Sequence, residues 1–156
     1  MRLQVTTQRG FSVVELLFAV AIIAVLAALS ATTFMAVRQT EELKTATQDV
    51  WLALRSARNA TLSSSGDQVY GVHIARNKVV RFSGSTYGTN STTDMVSNFP
   101  GSVVATSSLS GSTTDIVFTR LSGEVSATGT ITLLHSTTNA TTTLTISQTG
   151  LVEVSP

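Results

Sequence analysis

The sequence predicts an α+β fold, a long N-terminal α-helix packed on a C-terminal antiparallel β-sheet domain. Three observations predict it. Residues 16–37 carry no formal charge. No proline occurs between Ser12 and Ser63. Beyond Gln68, short apolar and threonine-rich segments alternate with glycine and asparagine turns.

The uncharged run defines the first element. Its 22 residues would span roughly 33 Å as a helix, close to the ~30 Å hydrocarbon core of a bilayer. From Arg38 onward the pattern becomes amphipathic. Leu43, Val50, Leu54 and Ala57 follow one another at helical spacings and share one face. Trp51 broadens that face, while Glu41, Glu42, Lys44, Asp49, Arg55 and Arg58 occupy mostly other directions, with Glu41 and Glu42 expected on a solvated face. A helix unbroken over both halves would reach roughly 75–80 Å. Ser63-Ser64-Ser65-Gly66-Asp67 supplies the stop.

The remainder reads as β structure. Residues 69–74 form a strand, and Asn77-Lys78 turns it into a second at residues 79–82. Residues 83–98 are polar, contain Gly84 and Gly88, and read as a surface loop. Phe99-Pro100-Gly101 suits a turn. Further strands are expected at residues 102–106, 115–119, 129–134, 141–147 and 151–154. Thr142, Leu144 and Ile146 against Thr143, Thr145 and Ser147 give the partial alternation of a sheet with one face on a helix. One sheet or a small pair of sheets accommodates these strands.

The N-terminus carries the sharpest signal. Arg9-Gly10-Phe11-Ser12-Val13-Val14-Glu15 joins a basic leader to the apolar run and leaves one carboxylate at the edge of that run. An ionisable group there is costly unless it reaches the interface or finds a partner, which makes Glu15 a functional candidate. A secretory signal peptide has a shorter apolar run and a small-residue cleavage site after it; this run is too long and no A-x-A site follows. A plain single-pass anchor remains the simple alternative.

Gly10, Phe11 and Glu15, directly before the apolar helix, resemble the class III signal of type IV pilins and of the pseudopilins of type II secretion. That resemblance implies cleavage between Gly10 and Phe11 by a membrane-embedded prepilin peptidase and methylation of the new amine at Phe11. It implies four segments: a cleaved leader at 1–10, a transmembrane and filament-core helix at 11–37, an amphipathic continuation at 38–65 and a β-rich globular domain at 66–156. It gives Glu15 an assembly role, meeting the Phe11 amine of a neighbouring subunit. A charge left unpaired in a filament core is strongly unfavourable, so such a pair favours one axial register. The competing reading is a carboxylate snorkelling at the membrane face.

The second half is similar, more loosely, to the GspH/FimT branch of minor pseudopilins and pilins. The cues are Trp51-Leu52-Ala53-Leu54-Arg55-Ser56-Ala57-Arg58-Asn59-Ala60, Val72-His73-Ile74, Ile116-Val117-Phe118 with Gly123, Gly129-Thr130-Ile131-Thr132-Leu133, and the closing run from Ile146 through Gly150 to Val154. Read without the family, the alanines permit close helix–sheet packing, and Arg58 caps carbonyls near the helix end. Some FimT-like relatives bind DNA through arginines after the last glycine. Here that stretch is Gly150-Leu151-Val152-Glu153, with no arginine, so DNA is not expected as a partner. Arg76, Lys78 and Arg81 could form a small basic patch, though charges protecting a solvated strand edge are the simpler reading.

Composition limits the other classes. The 156 residues suffice for an anchor and one modest domain. Ten basic and nine acidic side chains give a formal charge of +1. Removing Arg2 and Arg9 with the leader leaves eight against nine, or −1, which is no footprint for nucleic acid. The basic leader beside the apolar run orients the N-terminus to the cytoplasm and the C-terminal domain outward. Cysteine is absent, so no disulfide holds the fold. His73 and His135, the two histidines, read as ordinary strand residues, and no catalytic constellation, metal-ligand cluster or phosphate loop emerges. Asn59, Asn90 and Asn139 begin N-x-[ST] triplets that threonine-rich sequence generates by chance.

The expectation is therefore a structural subunit, not an enzyme, with no cofactor or metal. Its expected partners are prepilin peptidase, an assembly platform protein and other pilin or pseudopilin subunits. It would sit in the cytoplasmic membrane before assembly and in an extracytoplasmic filament afterwards. The alternative is a filament-tip module for DNA uptake or adhesion.

Overall fold

A computed structural model describes residues 10–88 and 92–156, with the side chains of residues 30–33 and 36 also outside the description. Residues 1–9 of the expected leader 1–10, and Asn90, lie outside the described residues. The chain divides into two compact units, Met1–Arg38 and Gln39–Pro156. Helix α1, Val13–Leu62, belongs to both.

In the second unit, the buried face of α1 is Leu43, Ala46, Val50, Leu54 and Ala57. The periodicity selected four of these five. Ala46 and Ala57 have almost no side chain, which lets the strands approach the helix closely. Two threonines share the face without stranding their hydroxyls. Thr47 Oγ1 donates to Leu43 O at 2.8 Å, and Thr61 Oγ1 donates to Ala57 O at 2.9 Å. Thr61 Oγ1 also accepts from Tyr70 N at 2.9 Å, tying the end of the helix to the start of the first strand. The helix stops where expected. Ser64 adopts φ 50°, in the left-handed region, and a short 3-10 turn, Ser65–Asp67, follows.

Among the described residues, eight strands follow: β1 Tyr70–Ala75, β2 Lys78–Ser83, β3 Met95–Asn98, β4 Val103–Leu109, β5 Asp115–Val117, β6 Gly129–His135, β7 Thr141–Ile146 and β8 Val152–Ser155. They form two antiparallel sheets, ordered β3-β2-β1-β5 and β4-β6-β7-β8. A backbone bond joins them, from Ala105 N to Arg76 O at 2.9 Å. Val72, Ile74, Val79 and Ile116 of the first sheet and Ile131, Leu133, Leu144 and Ile146 of the second bury their side chains with the α1 face. Of the two expected forms, one sheet or a small pair beside a helix, the pair is present, with two corrections. The β1–β2 turn is Arg76-Asn77, with Lys78 already paired to Ala75. Strand β3 lies inside the stretch expected to be a loop.

Close packing explains one glycine. Gly150 has φ +74°, and a Cβ there would collide with the backbone oxygen of Gly123 and come within 3.0 Å of Arg58 Nε. Only glycine fits a left-handed turn pressed this tightly against other backbone.

Leu54 is fully buried at the centre of the α1 face. Leu54→Ala removes three carbons from a close-packed site and is expected to cost about 2–5 kcal/mol of stability. Urea unfolding followed by far-UV circular dichroism measures this loss; a cost below about 1 kcal/mol would mean the helix does not rest on the sheets as described.

Candidate functional site

The candidate site is the start of α1. Gly10 and Phe11 precede the helix, and Ser12 O accepts the first helical bond from Leu16 N at 3.1 Å. Gly10 is exposed, and a Cβ added to it would meet nothing within 4 Å. Phe11 is 86% exposed. The Gly10–Phe11 peptide bond therefore lies in open, non-helical chain, where a protease can reach it.

Glu15 occupies the first turn of α1. A carboxylate there faces the partial positive charge of the helix N-terminus, a favourable placement. The spacing Ser12-Val13-Val14-Glu15 is also that of a capping box, a local signal of the helix start that the sequence reading did not use. Cleavage after Gly10 would put an ammonium group on Phe11, close to that same positive end. The dipole disfavours this charge, so a nearby carboxylate on the same or an adjacent chain gains value.

The helix behind the motif is apolar on all sides. Val13, Val14, Leu16, Leu17, Phe18, Val20, Ile22, Ile23, Val25, Leu26 and Leu29 are all exposed. Phe18, Ala21, Ile22, Val25 and Leu26 line a shallow depression of about 270 Å³. A contiguous apolar surface of this extent marks an interface with protein or lipid. Among the described residues, no helix is long and apolar enough to cross a membrane. The uncharged run of residues 16–37 includes positions 30–33 and 36, whose side chains are outside the description.

The other residues singled out by sequence have structural partners. Glu42, expected on a solvated face, accepts a hydrogen bond from Ser102 Oγ, and its Oε2 lies 3.5 Å from the buried His135 Nε2. His135 Nδ1 lies 3.1 Å from Thr138 Oγ1, so this histidine joins the end of β6 to α1. Ser102 turns its hydroxyl to the carboxylate and not to the imidazole. Glu41 is exposed and pairs with Lys44 at 3.4 Å. Arg58 does not cap the end of its own helix. Its Nη2 donates to Thr149 O at 3.3 Å, under the turn that Gly150 closes. His73 Nδ1 lies 2.6 Å from Asp115 Oδ1, and the Tyr87 ring stacks on the imidazole at 4.1 Å.

Arg76, Lys78 and Arg81 do not make one patch. Lys78 and Arg81 are three apart on β2, so they project from opposite faces. Arg81 stacks over the Tyr70 ring at 5.5 Å. Strand β2 is also internal, between β3 and β1, so these charges do not protect an edge. Among the described residues, no group of three or more metal-ligating side chains comes together.

Residues 6–31 match the family model of the prokaryotic N-terminal methylation motif. The match is to that motif alone, over a short N-terminal part of the 156 residues, and it supports a likeness to the type IV pilins and pseudopilins. The motif covers Gly10, Phe11 and Glu15 and most of the exposed apolar surface. It points to a structural subunit. Comparisons with curated proteins and with solved structures returned no match.

Proposed function

We propose that the chain is a minor subunit of a type IV pilus or type II secretion pseudopilus. Prepilin peptidase cuts between Gly10 and Phe11 and methylates the Phe11 amine. Before assembly, residues 11–37 anchor the subunit in the cytoplasmic membrane, with residues 38–156 outside. An assembly platform protein then moves it into a filament, where its apolar helix exchanges lipid for the helices of sister subunits. Glu15 meets the Phe11 amine of a neighbour and sets the axial register.

The observation that carries this reading is the methylation motif running directly into a helix exposed and apolar on every side. A processed helix of that kind cannot remain in water, and lipid or like helices are the surfaces that cover it. The GspH/FimT assignment rests on the run Trp51 to Ala60, whose Ala57 is buried against the sheets and whose Arg58 holds the closing Gly150 turn. The reading is tested by shearing surface filaments, or pseudopili, from cells with and without prepilin peptidase. The chain is expected in the sheared fraction of the first and only in membranes of the second. Equal amounts in both fractions, whatever the peptidase status, would contradict it.

A further inference from the structure

Strand β8 ends its sheet, and among the described residues nothing pairs with its outer edge. An open edge presents unpaired backbone N–H and C=O groups and is a template for another strand. The side chains beside it are under-covered. Val154 is 44% exposed although its partner Leu144 is fully buried, and Leu151, just before the strand, is 63% exposed.

The flank of α1 that runs along this edge has a chemistry of its own. Lys44, Gln48, Trp51, Arg55 and Arg58 follow at spacings of four, three, four and three, a single helical stripe. Two adjoining cavities lie along it and share Trp51. One, about 490 Å³, is walled by Leu43, Trp51 and Val154, with Lys44 at its side. The other, about 310 Å³, is walled by Arg55, Arg58 and the backbone from Gly150 to Val152. Among the described residues, neither lining includes a carboxylate. The Arg55 guanidinium lies 4.9 Å from the Trp51 ring centroid, which holds its charge beside the groove. Arg58 Nε is buried and finds no acceptor among the described residues. Glu41 offsets only Lys44, through an exposed pair of small energetic weight.

We propose that this groove binds an extended, acidic segment of a partner protein, added to the sheet as a strand beside β8. Backbone bonds to the open edge supply affinity that is independent of side chains. Alternate side chains of the incoming strand cover Val154 and Trp51, and its carboxylates meet Arg55, Arg58 and Lys44. A second copy joined symmetrically, β8 to β8, is disfavoured because it would bring the basic stripes of both copies to one junction. The proposal concerns residues 39–156 alone and stands apart from the processing of the N-terminus.

Trp51 is the sole tryptophan of the chain, so its fluorescence reports on the groove directly. The probe is an end-capped seven-residue peptide alternating valine with glutamate, titrated into the full chain in non-ionic detergent micelles. A lysine-for-glutamate twin and a version with a central proline serve as comparisons. The expected result is a saturable Trp51 change with the acidic peptide only, weakened by added salt, together with slowed amide exchange in β8. The double variant Lys44→Glu/Arg55→Glu alters two exposed side chains; it is expected to keep its circular dichroism, to bind the acidic peptide at least tenfold more weakly and to gain affinity for the lysine twin. Equal binding of both twins, no binding, unprotected β8 amides or an unaffected double variant would each overturn the proposal. So would a Trp51 change that tracks protein concentration without peptide, which would assign the groove to a second copy.

Discussion

Glu15→Ala is expected to lower incorporation into filaments at least tenfold while leaving the amount of chain in the membrane unchanged. The carboxylate is in the first helical turn, outside the β-rich unit, so its loss does not touch the folded core. In an assembled helix bundle, the Phe11 amine of the neighbour would remain buried without its partner. Breaking a buried ion pair by removing one member costs about 3–5 kcal/mol. That is a factor of roughly a hundred or more in an equilibrium, so a tenfold fall is a conservative expectation. Glu15→Gln separates charge from shape: it keeps the size and a hydrogen-bonding oxygen but should also fail. The ratio of sheared to membrane-bound chain, measured by immunoblot, checks both variants. Incorporation of Glu15→Ala at the wild-type level would leave the snorkelling carboxylate as the better account.

Gly10→Val is expected to stop processing, so that the full precursor accumulates and none reaches a filament. The structure isolates the cause. Gly10 is exposed, precedes the helix and has open space where a Cβ would go. It has no left-handed φ among the chain's positive-φ glycines. A valine therefore costs the folded protein almost nothing, and any effect belongs to recognition by the peptidase. Circular dichroism should match wild type, while the mass of the membrane-bound chain should retain residues 1–10. Normal cleavage of Gly10→Val would separate the glycine from the processing step.

The parts of this protein legible in its sequence are those written in local pattern. The α1 core face follows from 3.6-residue periodicity, and its end from a cluster of serines, glycine and aspartate. The N-terminal motif is contiguous, so it needs no tertiary information. Strand β3 was missed for a physical reason. Met95, Val96 and Asn98 are exposed at the edge of the sheet, and a strand with no buried face has no alternation to read. The β1–β2 turn was misplaced by one residue because Arg76-Asn77-Lys78 carries no glycine to mark it. Glu42 and Arg58 were read as solvent-facing and helix-capping because their partners, Ser102, His135 and Thr149, come from distant strands. No spacing rule reaches that far. The basic stripe beside β8 was overlooked for a related reason: it acquires meaning only when a sheet edge lies next to it.

Direct determination of the first residue of the mature chain, by N-terminal sequencing or mass spectrometry of protein from wild-type cells, tests the central claim most closely. The account predicts an N-methylated phenylalanine, Phe11, followed by Ser12, on a chain that keeps its apolar helix. A mature protein still beginning before Gly10, or one released without residues 11–37, would contradict it.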